Sequence, residues 1–460
     1  MAVSVAHTIL TFLPLRTRMT FRYGIATVHE LQHLLLRATV RVNGQEVEGV
    51  SADHLAPRWF VKDPNLSLEQ EAELLLNAVH HACTLAEQTA PAPTPFDWWW
   101  QVYHKQHKWA QADGIPALVA SFSVSLIERA VIHAFCRATS QPFATALRHN
   151  TLGIDLGRIH HVLQGREPRE YLPARPLTQL TVRHTVGLSD PLTEAEIPER
   201  LNDGLPQSLE ACIQTYGLTH FKVKLSGDAQ SDHVRLRALA QVLTRYCPSA
   251  RFTLDANEMY PDIHTFRAFW EQVQADSDLQ AFFQGLLFVE QPLHRDEALS
   301  ERTRQQLSRW HAHPPMIIDE SDAELHSLPT ALECGYDGCS VKTCKGVFKG
   351  VANACLAEHL RRAGQQVRIS GEDLTTVPPV SLLQDLALMA NLWIEHIERN
   401  GYHYFRGLSM LSRELQERLL NAHPDLFIRH PQGFVAVHVA NGRLSARSAA
   451  DASFGTDVEV

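Results

Sequence analysis

A chain of 460 residues, 45% hydrophobic and 20% charged, exceeds what one small domain needs and leaves room for a barrel of about 250 residues beside a second domain. Its formal net charge of -9 at pH 7 excludes the basic stripe of a general nucleic-acid binder. A local cationic pocket for a small anion stays compatible with that charge.

No uninterrupted run of about 18 apolar residues marks a membrane span. Residues 1–20 lack the apolar core and small-residue cleavage site of a secretion signal. The eight cysteines are scattered without a CxxC pair, so thiols packed in a reduced compartment and a cytoplasmic location are expected.

Residues 33–51 hold two strand-like runs about Asn43-Gly44, a strong hairpin signal. Residues 67–89 read as a helix with an apolar stripe at Leu74, Leu75 and Val79. Pro91, Pro93 and Pro95 break the chain ahead of Trp98-Trp99-Trp100, a run read as domain packing, and a further helix covers 116–137. Residues 1–175 form an α+β unit on this reading, with Pro173 and Pro176 marking its end.

The pattern then becomes rhythmic. Short apolar or β-branched runs recur at 180–187, 220–226, 251–257, 285–292, 315–321, 338–344, 366–373 and 393–399. Helical stretches such as 231–246, 263–275, 348–363 and 379–392 lie between them. Such alternation predicts an α/β fold, a (β/α)8 barrel, over 176–404. A doubly wound sheet would need about six strands and usually a Gly-rich first turn, and neither is present. Residues 405–460 depart from the repeat and are expected to return to the first domain, with roughly the last fifteen poorly ordered.

In such a barrel the active site lies where the strands end, and these strands end in charge. The second gives Lys222 and Lys224, the third Asp255 and Asn257, the fourth Glu290, the fifth Asp319 and Glu320. The sixth gives Lys342, the seventh Glu372 and Asp373, the eighth Glu398. Residues two apart share a face, so Lys222 and Lys224 project together, as do Asp255 and Asn257. Asp255, Glu290 and Asp319 on neighbouring strands make an oxygen cage suited to Mg2+, with amines on both flanks. Strand-end salt bridges are the plainer reading of the three acids, but they would repel one another without a cation. A buried ion pair is the plainer reading of Lys342, and Glu372, Asp373 and Glu398 serve a structural role equally well.

These residues resemble the enolase superfamily and, within it, the muconate lactonizing enzyme-like (mandelate racemase/muconate lactonizing enzyme) subgroup. The resemblance rests on Lys-Val-Lys at 222–224, Leu-Asp-Ala-Asn at 254–257, Val-Glu-Gln-Pro at 289–292, Asp-Glu-Ser at 319–321 and Val-Lys at 341–342. It spans about 180–400 and implies an α+β capping domain over 1–175, completed by 405–460. It further implies that Asp255, Glu290 and Asp319 bind Mg2+, with Mn2+ as a substitute. Lys224 and Lys342 become the acid/base pair, Lys222 sits beside the substrate carboxylate, and Asn257, Glu320, Glu372 and Glu398 lend polar support. The implied reaction removes the proton beside the carboxylate of a small acid through an enediolate, in a homo-oligomer.

Racemisation or epimerisation is favoured because both lysine positions are filled, with cycloisomerisation or dehydration as the alternative. A lysine acting as base needs a lowered pKa, which the metal, Lys222 and partial burial would supply. A non-catalytic barrel scaffold is the rival from another class. His29-Glu30-Leu31-Gln32-His33 matches the HExxH of zinc peptidases, but the alternating residues after it argue against a helix. A mobile loop of the cap over the barrel mouth is expected there. Gly49-Val50-Ser51-Ala52-Asp53 replaces the family's Gly-x-Gly-Glu, and extra material lies near 90–115 and 150–175, so no known substrate is transferred.

Overall fold

The computed structural model describes residues 2–459. Strands β1 (Val3–Tyr23), β2 (Ala26–Val42) and β3 (Gln45–Leu55) form an antiparallel sheet in chain order. Asn43 (φ 53°) and Gly44 (φ 84°) both take the left-handed conformation that a two-residue hairpin turn demands. In β2, Leu34, Leu36, Ala38 and Val40 are fully buried, as strand alternation requires.

The sheet packs on the helix Ala117–Ala138. That helix is long and apolar enough by composition to cross a bilayer, yet its whole apolar window is buried inside the fold, so it is a core helix. A Cβ on Gly49 of β3 would stand 1.9 Å from the Ala130 carbonyl oxygen, so strand and helix meet backbone to backbone there.

The tryptophan run falls in the helix Pro95–Ala112, where Trp98 and Trp99 are buried. Trp99 meets Phe348 with ring centroids 5.1 Å apart, and Phe348 belongs to the barrel helix Val347–Arg362. These rings pack one part of the fold on the other.

Strands β4 (Gln179–Val186), β5 (His220–Lys224), β6 (Arg251–Asp255), β7 (Leu286–Glu290), β8 (Met316–Ile318), β9 (Gly338–Val341), β10 (Arg368–Gly371) and β11 (His396–Arg399) run parallel in chain order. Pairing of β11 with β4 closes the eight-stranded barrel. Helices including Leu209–Tyr216, Ala229–Tyr246, Ile263–Gln274, Val347–Arg362 and Ser381–Asn391 follow the strands. All eight cysteines are buried free thiols.

Two expectations are corrected. Residues 29–33 form no loop: they lie within β2, with Glu30 opposite Arg16 and Leu31 opposite Leu15. Extended backbone sets His29 and His33 about 13 Å apart, too far to share a zinc ion. Residues 446–459, where a poorly ordered tail was expected, hold a short helix and buried side chains. Hairpin strands β12 (Phe427–Arg429) and β13 (Val435–Val437) precede β14 (Arg443–Ser445), which pairs antiparallel with β4. A short helix, Arg447–Asp451, follows, and Phe454 is fully buried with its ring 4.5 Å from that of Phe143. The imidazole of His133 donates to the Thr456 carbonyl at 2.9 Å. These few apolar and hydrogen-bonding anchors outweigh a polar composition.

Gly49→Val forces a side chain into the Ala130 backbone and should cost about 1–3 kcal/mol, as overpacking of a filled core does. Chemical denaturation checks this as a lower midpoint with an unchanged denaturant slope.

Candidate active site

Strand register builds the site. Lys224, Asp255 and Glu290 lie level across β5, β6 and β7, and Ile317 of β8 continues the row. Asp319 follows one residue beyond β8 and Lys342 one beyond β9. On β5, Phe221 and Val223 alternate with the two lysines.

Lys222 is the hub. Its buried ammonium lies 3.0 Å from Asp255, 2.8 Å from Glu290, 2.6 Å from Glu372 and 3.0 Å from Glu398. Beneath it Arg183 of β4 donates to Glu372, to Ser370 Oγ at 2.9 Å and to the Gly371 carbonyl at 3.0 Å. The structure thus gives Lys222 four carboxylate partners, where the sequence suggested a place beside the substrate.

Two further lysines rise on either side. Lys224 donates to Asp255 at 2.5 Å, and Lys342 to Asp319 at 2.6 Å. Asp319 also receives Lys345 at 3.1 Å and the Ser340 hydroxyl at 2.5 Å. Strands β5 and β9 are second and sixth of eight, half a turn apart around the barrel. Lys224 and Lys342 nonetheless line one cavity of about 20 Å3, together with Phe21, Tyr23, Trp59, Asn257 and Glu398. Tyr23 sets its ring 5.4 Å from the Lys224 ammonium, and Trp59 sets its own 4.3 Å from that of Lys342. Tyr23, Leu374 and Thr375 are shared with a larger vestibule of about 510 Å3, lined by Leu15, Arg16, Ile25, Leu31 and Arg58.

Burial and crowding set the protonation. Burial pushes Glu290 well above the usual carboxylate range, and Asp255 and Glu372 push it further. Burial, then Asp319, raises Glu320 to about 7. Burial opposes charge on Asp319 as well, but Lys342 and Lys345 outweigh it and hold that carboxyl well below its usual range. For Lys342 burial likewise disfavours the ammonium, yet Asp319 prevails and raises its pKa. The lowered pKa foreseen from sequence is therefore reversed at Lys342 while Asp319 is its partner.

The donor set fits a hard divalent cation. Asp255, Glu290, Asp319, Glu320, Glu372 and Glu398 outnumber the cations among them, Lys222, Lys224, Lys342, Lys345 and Arg183. Glu320 Oε2 and Asn257 Oδ1 are buried without a hydrogen bond. Oxygen-only donors with charge to spare suit Mg2+ or Mn2+. Each acid of the expected trio is bound to a lysine as the structure stands.

The other candidates divide. Asn257 donates to Glu320 at 3.1 Å, and Glu398 accepts from Thr185 at 2.7 Å. Asp373 caps Thr376 at 2.6 Å and accepts from the Asn400 backbone at 3.0 Å; it lines the lysine cavity without pairing with Lys222. Sequence reasoning missed Arg183, Lys345, Tyr23 and Trp59. Arg183 could have been found from its parity within a barrel strand, whereas Tyr23 and Trp59 reach the site only through docking of distant segments.

Because folding raises Glu320, the folded state binds a proton there, and stability falls through this group as pH rises from about 4.5 to about 7. Without metal, Glu320→Gln should match the parent at the low end and exceed it above pH 7 by up to about 3 kcal/mol. Denaturation in chelator across that range checks it; parallel curves for the two proteins would refute it.

No family model matches the sequence, and no curated protein sequence matches it. Solved structures do. A mandelate racemase/muconate lactonizing protein from Herpetosiphon aurantiacus superposes with a TM-score of 0.58 at 17% identity, covering 99% of each chain. A dipeptide epimerase from Enterococcus faecalis, complexed with Mg and the dipeptide L-Leu-L-Tyr, gives 0.56 at 13% identity, covering 87% of this chain and 92% of its own. A 2-chloromuconate cycloisomerase from Rhodococcus opacus gives 0.56 at 16% identity, covering 97% and 96%. The fold of this chain is the capped (β/α)8 barrel of the mandelate racemase/muconate lactonizing enzyme-like structures.

Proposed function

We propose that the chain removes the proton beside the carboxylate of a small acid in a metal-dependent reaction, with racemisation or epimerisation as the outcome. The observation that carries this reading is the pair Lys224 and Lys342, which rise from opposite sides of the barrel into one cavity. Asp255, Glu290 and Asp319 would hold the divalent cation, which supplies the charge that stabilises negative charge developing on the substrate carboxylate.

The chain's own residues do the rest. A lysine on each face lets one amine take the proton and the opposite ammonium return another, inverting the carbon. Asp255 and Asp319 aim the two side chains, since each accepts a hydrogen bond from one of them. Lys222 offsets the repulsion among four carboxylates. Tyr23 stays protonated, its pKa raised to about 12 by burial, and with Trp59 it shields the lysines from water.

A cavity of about 20 Å3 holds roughly one water, so substrate entry requires the cap to shift from Lys224 and Lys342. The adjoining vestibule is mostly apolar, with Arg16 and Arg58 among its lining residues, and suits the remainder of an organic acid. A cycloisomerase or dehydratase outcome is the second reading, favoured by the cycloisomerase of the same fold. It follows from the same site if a leaving group occupies the adjacent carbon.

In heavy water with Mg2+, a substrate acid should exchange its proton beside the carboxylate in both enantiomers, followed by NMR. Lys224→Ala and Lys342→Ala should each slow racemisation by about 100-fold or more. Absence of exchange across a broad acid library would leave the fold a scaffold, and unchanged turnover in both variants would remove the two lysines from the chemistry.

A further inference from the structure

A second cluster of metal-ligating side chains stands apart from the acids. On β4, Arg183 and Thr185 send their side chains into the barrel, to Glu372 and Glu398, so parity turns the intervening His184 outward. Cys212 of the helix Leu209–Tyr216 and His403 of the short helix Gly401–Tyr404 meet it there. The short helix follows β11, whose Arg399 pairs with His184 across the seam that closes the barrel. All three residues are buried. Their donor atoms lie within 4.8 Å of one another, the one such grouping among the described residues.

Two details exceed chance proximity. Cys212 Sγ lies 3.7 Å from His403 Nδ1. A sulfur and a nitrogen bound to one tetrahedral zinc, at about 2.3 and 2.0 Å, stand roughly 3.5 Å apart. His184 Nδ1 is 2.6 Å from the Tyr402 hydroxyl, which fixes that ring and leaves Nε2 as its free donor. Metal-bound histidines are held through their second nitrogen in this way.

We propose that His184, Cys212 and His403 form a Zn2+ site that ties the first barrel strand to the segment after the last. The sulfur and nitrogen donors select a borderline-soft ion and so separate this site from the all-oxygen acid cluster. As the Zn–S bond forms, the Cys212 thiol proton leaves to solvent. Three protein donors leave a fourth position for water. A cavity of about 470 Å3 has Tyr216 and Tyr402 in its wall, so these rings stand between it and the three donors.

Co2+ reports on such a site through its visible bands and its thiolate charge-transfer absorption. The full chain, chelator-treated and then held in excess Mg2+ to satisfy the oxygen donors, is titrated with Co2+. One equivalent should produce the thiolate band, and Zn2+ should abolish it. Cys212→Ser and His403→Gln should lose it, while Cys355→Ser, at a buried cysteine elsewhere, should keep it. Zn2+ should also raise the thermal midpoint of the parent and not of His403→Gln. No thiolate band in the parent, or a band that persists in Cys212→Ser, overturns the proposal. If Cys212→Ser does not fold by circular dichroism, His403→Gln decides on the same criterion.

Discussion

Four carboxylates around one buried ammonium is the arrangement on which the rest of the barrel mouth depends. Asp255, Glu290, Glu372 and Glu398 come from four different strands or their ends, and Lys222 touches all of them. Unpaired buried charge costs several kcal/mol per ion, so the acids tolerate their proximity only with matching cations. Burial pushes Glu290 toward the neutral form, and its neighbours Asp255 and Glu372 push it further. The divalent ion proposed for this cluster would relieve the same crowding of acids.

The cap is held to this mouth largely by cationic side chains that reach backbone oxygens. Arg295 donates to the Trp59 and Phe60 carbonyls at 2.8 Å while pairing with Glu258 at 2.7 Å. Lys62 donates to the Asn257 carbonyl at 2.6 Å. From the first strand, Arg18 reaches the carbonyls of His403, Leu205 and Pro206. Such bonds fix Trp59 over Lys342 and the end of β1 over Lys224. Hydrogen bonds to charged donors are stronger than neutral ones but exchange readily with water once exposed. A cap fixed this way can seal the lysines and still release.

The barrel was legible because its units repeat one grammar: a short apolar strand, in all but the first a charged end, and a helix. Lys222, Lys224, Asp255 and Glu290 could be placed from parity alone, since a strand side chain has only two faces to choose between. What parity cannot supply is the partner. Asp319 turns to Lys342, Lys345 and Ser340, a choice set by side-chain reach after the backbone is fixed. Asp373, one residue from Glu372, lines the lysine cavity and supports the loop that ends at Thr376. The long strand Val3–Tyr23 was unreadable for another reason. It mixes exposed apolar residues such as Ile9 and Phe12 with polar ones, and its extent is set by pairing with β2. Phe454 likewise anchors the C-terminal residues through a distant ring that no local pattern announces.

Four of the ten non-glycine residues with positive φ among the described residues gather near the lysines. Asn257, Glu258, Gln291 and Thr375 all hold positive φ, and all lie in loops at the end of the barrel where the lysines emerge. Each such residue costs on the order of 1 kcal/mol or more, and the cost persists only where the surroundings over-determine it. Gln291 shows how: its side-chain oxygen accepts from the Asp319 backbone at 2.8 Å, and its amide donates to the Leu293 carbonyl and the Ser321 hydroxyl, both at 2.8 Å. One buried amide thus holds its own strained backbone and fixes where Asp319 begins. Glu258 is pinned in the same manner between Arg295 and Lys62, so its left-handed backbone is locked by the bridge that docks the cap. Rigidity at the acids and release at the cap therefore meet in the same loops, and the residue that positions an acid is the one that bears the strain.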